Sequence, residues 1–282
     1  MMLQIARMSD LVQKVIEASF VERRDCLGVN AAQMKKLSDH EEIFPRPLSG
    51  EKVDTLPPGL LPARVPLVGT DVVLEPMNAE LHASDLYKAS HGTEAGLRIW
   101  DYLTYGPWQD VASYTAFLRG QSASFDPIFY AIRCKKTGKA CEQVSFLDNN
   151  AQNGVTEIGH IWFGPALQRT RGATEALFLM MSHMMDDLEY RRLQWRCNAL
   201  NEKSRSAVRR LGFRFEGVFY NNLIFKGMNR DTAWHSVLDD EWPEVCEKIT
   251  KWLEVDNFSE DGTPKTSLTE AMQQRSPSKR RL

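Results

Sequence analysis

The sequence predicts an α+β fold: a mixed, mostly antiparallel sheet with one parallel pair, flanked by helices. Three observations predict it. The runs "IFYAIRC" (128–134) and "CEQVSFLD" (141–148) alternate around a Gly-containing turn, the signature of a β-hairpin. A strand at 154–164, a helix at 174–190 and a strand at 193–199 follow in order, and a strand–helix–strand unit requires a parallel pair joined by a right-handed crossover. The runs "FRFEGVFYNNLIFKG" and "RDTAWHSVLDD" then make a closing antiparallel hairpin.

The remaining elements are justified in chain order. Within residues 1–45, Met8, Leu11, Val12, Val15, Ile16 and Phe20 recur at three- and four-residue steps, which predicts one amphipathic helix. Six prolines between 45 and 66 forbid a helix or a central strand, because proline lacks the N–H and fixes φ. That stretch is expected to be an extended surface linker. The run 70–77 reads as a strand, and 79–90 and 109–124 as helices, the second with Val111, Tyr114, Phe117 and Leu118 on one side. In the helix 174–190 the residues Ala176, Leu177, Met180, Met181, Met184 and Leu188 keep helical spacing. A short helix over 202–212 ends in Gly, as helices often do. From about 257 the chain is polar and rich in Ser, Pro and charge, which predicts disorder. The expected domains are therefore an N-terminal extension (1–65), a folded domain (66–256) and a disordered tail (257–282).

With 43% hydrophobic and 26% charged residues the composition is that of a globular protein. A net charge of −2 provides no general attraction to nucleic acid or anionic lipid. No stretch approaches 18 uninterrupted apolar residues, so no membrane span is expected. The N-terminus lacks a signal-peptide core, and its acids argue against a mitochondrial presequence; a soluble, cytoplasmic protein is expected. Five widely spaced cysteines without a C-x-x-C pair suit free thiols in a reducing compartment and predict no metal site.

Chemistry concentrates in "LQRTRGATEA" (167–176), at the join between a strand and a helix. The first N–H groups of a helix lack intrahelical partners and carry the positive end of its dipole. Gly172 and Ala173 remove bulk, Arg169 and Arg171 add charge, and Gln168 adds a neutral donor, which together make a seat for a pyrophosphate. The same turn also reads as a plain basic surface turn. Some 30 residues on, Asn201 and Ser204 stand where a strand ends and a helix begins, where ligands enter α/β sheets. Asn201 or Asn198 can equally be a helix cap.

Three ordered motifs, "EIGHIWFGPALQRTRGATEA", "NALNEKSRSAVRRLGFRFEGV" and "KGMNRDTAWHSVLDDEW", resemble the GNAT superfamily of N-acetyltransferases, and within it the RimJ/RimL-type branch. They match the family's Q/R-x-x-G-x-G/A turn with T-E-A, its N-x-x-S helix start followed by L-G-F, and its closing hairpin. The likeness extends more weakly back to about residue 67. It implies an acetyl-CoA-dependent N-acetyltransferase that works by direct attack of an amine on the thioester. It further implies that the strand 157–163 splays from the strand 193–199 and that acetyl-CoA lies in the V. The backbone of Ile161, Trp162 and Phe163 would pair with pantetheine, and the N–H groups from Gln168 and Arg169 through Arg171, Gly172, Ala173 and Thr174 would hold the pyrophosphate. Asn201 would hold the pantetheine arm, and Ser204 would protonate the departing thiolate. One residue departs from the pattern: Arg171 stands where the family has glycine; a positive φ there would strain it, so a backbone that suits an L-residue is expected, with the side chain adding a phosphate contact.

Within that frame the amine must lose a proton, and a carboxylate, directly or through water, could take it. Glu157 is the first candidate, with Glu216 and Tyr220 behind it, each also readable as a surface residue. His160 reads as a core histidine before a base. Trp100, Tyr102, Tyr105 and Trp108, in a Gly/Pro-broken loop, suit the wall of an acceptor pocket or the packing of a helical layer. The expected partner is an amine-bearing small molecule or a peptide N-terminus, with no nucleic acid and no membrane, and the chain is expected to be a monomer or homodimer. The competing reading is a non-catalytic acyl-CoA-binding or protein-interaction module. A nucleotide-binding P-loop is excluded by the absence of G-x-x-x-x-G-K-[ST].

Overall fold

A computed structural model describes residues 53, 55–165 and 167–277. The expected helix of residues 8–21 lies outside the described residues. The compact unit begins at residue 55 rather than 66. Its first stretch runs extended to residue 66, as the prolines require, and is tied down when Tyr130 and Tyr190 donate to the carbonyls of Ala63 and Leu60 (3.0 and 2.9 Å).

The sheet has eight strands: β1 (Leu67–Val68), β2 (Val72–Pro76), β3 (Ile128–Cys134), β4 (Ala140–Asn150), β5 (Val155–Phe163), β6 (Arg192–Asn198), β7 (Arg214–Phe225) and β8 (Met228–Leu238). Their spatial order is β1-β2-β3-β4-β5-β6-β8-β7. Every pair is antiparallel except β5–β6. The longer helices are α1 (Ala79–His91), α2 (Val111–Ala123), α3 (Arg171–Ser182), α4 (Glu202–Arg210), α5 (Trp242–Leu253) and α6 (Leu268–Gln273). Asn78 caps α1 by accepting from Glu80 N and Leu81 N, and Asp110 caps α2 by accepting from Ser113 N.

Alternation along the strands sorts the core into two layers. Tyr130, Phe146, Trp195 and Val237 face one side and pack with Met180 of α3 and Ile249 of α5. Phe129, Ala131 and Trp162 face the other and pack with Leu86 of α1, Leu118 of α2 and Trp100. The helix expected over 174–190 is α3 followed by one wider, π-type turn, His183–Asp187.

Two features correct the expectations. The helix α5 was not anticipated; Pro243 begins it, and Val245, Ile249, Trp252 and Leu253 bury one face. The expected disordered tail is folded as far as residue 277. Leu268 and Met272, one helical turn apart on α6, are buried, and Trp252 donates to the carbonyl of Thr266 (3.0 Å). Two apolar residues at the right spacing anchor an otherwise polar segment.

Candidate active site

The parallel pair is short. Val155, Thr156 and Glu157 pair with Arg192, Leu193 and Gln194, and the pairing stops there. β5 runs on to Phe163 and β6 to Asn198, so the two strands separate into a V whose apex lies at Glu157 and Gln194. The cause is visible in β5. Gln143 opposes Trp162 and Ser145 opposes Gly159, so one residue of β4, Val144, faces two of β5, His160 and Ile161. His160 takes φ +50°, the left-handed conformation of a β-bulge, and a bulge bends its strand.

A carboxyl and a hydroxyl stand on either face of the gap. Glu157 is buried, 4% exposed, and Arg196 Nε donates to it while Arg196 Nη2 donates to Asp148. Burial pushes the Glu157 carboxyl up to about 7, against the pull of the Arg196 guanidinium. The neighbouring residue Trp195 points the other way, and its indole N–H donates to Ser204 Oγ (3.0 Å). Ser204 thus accepts one bond and retains its own proton to donate. Asn201 caps α4, accepting from Ser204 N (3.1 Å), which fixes the hydroxyl at the helix start. Asn198 accepts from Leu200 N instead.

The turn before α3 divides its labour. Gln168 donates to the carbonyl of Phe163 (2.7 Å), closing the turn onto the end of β5 and occupying one backbone group expected to face pantetheine. Thr170 is the N-cap and accepts from Ala173 N (3.2 Å). The N–H groups of Arg171 and Gly172, first in the helix, are left without intrahelical acceptors. Arg171 does not take the positive φ that glycine would permit; Arg169 does, at +66°. The Arg171 side chain is committed to Asp71 (2.8 Å) and to the carbonyl of Leu253 (2.8 Å), so its expected phosphate contact is corrected to a tie between α3, β2 and α5. Gly172 is also corrected: a Cβ there would stand 3.1 Å from Val72 Cγ1, so its smallness serves helix–strand packing. Glu175 of the T-E-A motif accepts from the N–H groups of Thr70, Asp71 and Val72 (2.6, 2.7 and 3.1 Å). Arg169 is exposed and has no ion pair among the described residues.

One cation at this turn escaped the sequence reading. Arg210, in the last turn of α4, donates to Thr174 Oγ1 (3.0 Å) and lies 4.6 Å over the Trp252 ring. Burial disfavours its charge, and no carboxylate pairs with it among the described residues. The pair Arg209–Arg210 ahead of "LGF" was its only local signal.

The aromatic loop divides likewise. Trp100 is 1% exposed and sits edge-on to Trp108 (5.1 Å), and Trp162 packs on it (5.6 Å), so Trp100 and Trp108 belong to the core rather than to a pocket wall. The Trp162 side chain is likewise turned into this layer. Tyr105 is hydrogen-bonded to His160 Nδ1 (3.1 Å) and accepts from Gln143 Nε2 (3.0 Å). Burial pushes the His160 imidazole down to about 4, so it is neutral, the core histidine it reads as. Tyr102 is half-exposed and donates to the carbonyl of Leu200 (3.3 Å), bridging the loop to the start of α4. Tyr220 is 77% exposed on the edge strand β7, and Glu216 is bound to Arg192, so neither joins Glu157 at the apex.

This fold is shared with known proteins. The family model described as an acetyltransferase (GNAT) domain matches residues 71–214. A GCN5-related N-acetyltransferase from Brucella melitensis superposes with a TM-score of 0.75 at 40% identity, over 78% of this chain and 99% of that one. YdaF of Bacillus subtilis, whose name places it provisionally among ribosomal N-acetyltransferases, is 30% identical over 105 residues. That match covers 37% of this chain and 57% of YdaF. Mycobacterium smegmatis RimJ, solved with CoA-disulfide, shares the fold at a TM-score of 0.55 and 20% identity, over 64% of this chain and 88% of that one. The chain belongs to the GNAT acetyltransferase family. The RimJ/RimL-type branch expected from its motifs accords with the name of YdaF.

Proposed function

We propose that the protein is an acetyl-CoA-dependent N-acetyltransferase acting on a primary amine. The observation that carries the proposal is the V opening at Glu157 and Gln194, with a carboxyl on one face and a hydroxyl on the other. The RimJ structure with CoA-disulfide supports the choice of donor.

When bound, acetyl-CoA supplies a thioester whose acetyl carbon an amine attacks directly, the C–N bond forming as the C–S bond breaks. Glu157 takes the proton the amine loses, directly or through one water; a carboxyl with pKa about 7 suits that task near neutral pH. Ser204, held by Trp195 and Asn201, gives its proton toward the departing sulfur. The N–H groups of Arg171 and Gly172, with Arg169 and Arg210, hold phosphate oxygens. The backbone of Ile161 and Trp162 and the N–H of Phe163, whose carbonyl Gln168 occupies, hold the pantetheine arm beyond the apex with Asn201. Tyr102 and Tyr105 border the acceptor side. Transfer without an acyl-enzyme needs no further nucleophile.

Thiol release from acetyl-CoA against a panel of amines and peptide N-termini tests this reading. Turnover with at least one amine is expected. Tight CoA binding with no turnover on any amine would instead identify a non-catalytic acyl-CoA-binding module.

A further inference from the structure

The face of the sheet that carries Glu157 continues onto β8. Arg230, Thr232 and Trp234 alternate along that strand and share one face. Asn198 stands opposite Thr232, and Arg196 stands opposite Trp234 with its guanidinium 5.0 Å over the ring. This is the face of the aromatic loop and of Glu157, not the face of α3 and Ser204.

Three polar atoms on this strip lack a partner. Arg230 Nε, Thr232 Oγ1 and Trp234 Nε1 are each buried and make no hydrogen bond, and Thr232 as a whole is 1% exposed. The indole and the guanidinium can only donate, and the hydroxyl can donate. Native folds rarely leave buried donors unpaired, and each one left so is costly. The neighbouring cation differs: Arg196 is paired with Glu157 and Asp148, whereas Arg230 has no carboxylate partner among the described residues. Other unpaired indoles, those of Trp100 and Trp162, lie inside the aromatic layer, where the nearby ammonium of Lys226 is taken up by the carbonyls of Trp100 and Gly106. On β8 the donors coincide with a positive charge, beside the carboxyl that would receive the amine's proton.

We propose that β8 holds an oxyanion carried by the acceptor, so that the substrate is a small amine bearing its own carboxylate, of the free amino acid class. The amine faces Glu157 while Arg230, Thr232 and Trp234 bind the carboxylate; the amine's placement rests on the acetyl-transfer reading above. Polyamines and other purely cationic amines would leave these donors unmet.

Two measurements test it. In the first, kcat/KM for thiol release is compared between free L-amino acids and their C-terminal amides, with an aminoalkylphosphonate as a second oxyanion. The acids are expected to lead their amides by about tenfold to a hundredfold, the range of one or two charge-assisted hydrogen bonds. Arg230→Met and the isosteric Thr232→Val are expected to shrink that ratio. A lead for the phosphonate over the carboxylates would overturn the amino acid class by placing a phosphate-like group on the same donors. Equal values for acids and amides, or turnover of peptide N-termini alone, would overturn the proposal. In the second, the indole N–H resonance of Trp234, assigned through Trp234→Phe, is followed by NMR in the full-length protein. It is expected to shift on titration with an amino acid and not with its amide. A shift under CoA alone, with none under the amino acid, would overturn the proposal by giving these donors to the donor molecule. A shift under the amino acid without any acetyl transfer would sustain the oxyanion site while removing the transferase reading.

Discussion

The turn at 168–175 and the apex at Glu157 are both rich in polar groups, yet they spend them differently. At the turn nearly every motif side chain is committed to the fold: Gln168 to Phe163, Thr170 to Ala173, Arg171 to Asp71 and Leu253, and Glu175 to three N–H groups of β2 and its approach. What the turn has left for a ligand is backbone N–H and the free charge of Arg169. At the apex the pairing of two strands simply stops, a carboxyl is buried at a pKa of about 7, and Ser204 keeps a proton. A motif therefore marks a site without saying which of its residues bind and which ones build.

The largest effect that separates the two regions is expected at the apex. Glu157→Gln keeps the shape and removes the proposed base, and kcat/KM for thiol release should fall by about a hundredfold or more. Thermal or denaturant unfolding should move little or in the stabilising direction. The sign follows from burial: the folded carboxyl titrates near 7 and the unfolded one near 4.5, so the native state binds more protons between those values. Stability is therefore full below about 4.5 and falls as pH rises through 7, and Glu157→Gln should flatten that slope in unfolding experiments.

Glu175→Ala belongs to the other region and should do the reverse. Three N–H groups lose their acceptor, and unfolding should cost about 3 kcal/mol less, with kcat of the surviving folded protein near wild type. A loss of kcat at unchanged stability would erase the distinction between the regions. Ser204→Ala should lower kcat by about tenfold, because a thiolate leaves near neutral pH without needing full protonation. Unchanged turnover would take Ser204 out of the mechanism. The smallest effects should come from the two arginines of the turn, and they should differ in kind. Arg169→Ala should raise KM for acetyl-CoA about threefold to tenfold in a salt-sensitive way. Arg171→Ala should leave that KM unchanged and reduce stability by under about 1 kcal/mol, since Asp71 is partly exposed.

Much of this arrangement is legible in the residues. The strand 128–134 has the bounds that its alternation predicts, and the strand–helix–strand order is sufficient for the parallel pair. The candidate site is legible as far as local chemistry reaches, in the turn, the cap at Asn201 and the hydroxyl beside it. What escapes is set at long range. Nothing near Glu157 in the chain reveals that Arg196 and Asp148 close on it, or that burial raises its pKa. The bulge at His160 depends on register with β4, which one strand's pattern does not contain. Arg171 looks like a ligand because its partners, Asp71 and Leu253, lie 100 and 82 residues away. The helix α5 and the folded tail were missed for a related reason: their short apolar stripes gain meaning only against each other and against α4.

The measurement that bears most directly on the apex is the pH dependence of kcat/KM for thiol release, taken as the ratio of wild type to Glu157→Gln. The ratio cancels the titration of the acceptor's own amine. It is expected to climb with pH and level off above about 7, the value burial imposes on the Glu157 carboxyl. A ratio that is flat from pH 5 to pH 9 would contradict Glu157 as the base (a range chosen to span its pKa on both sides, about two units each way).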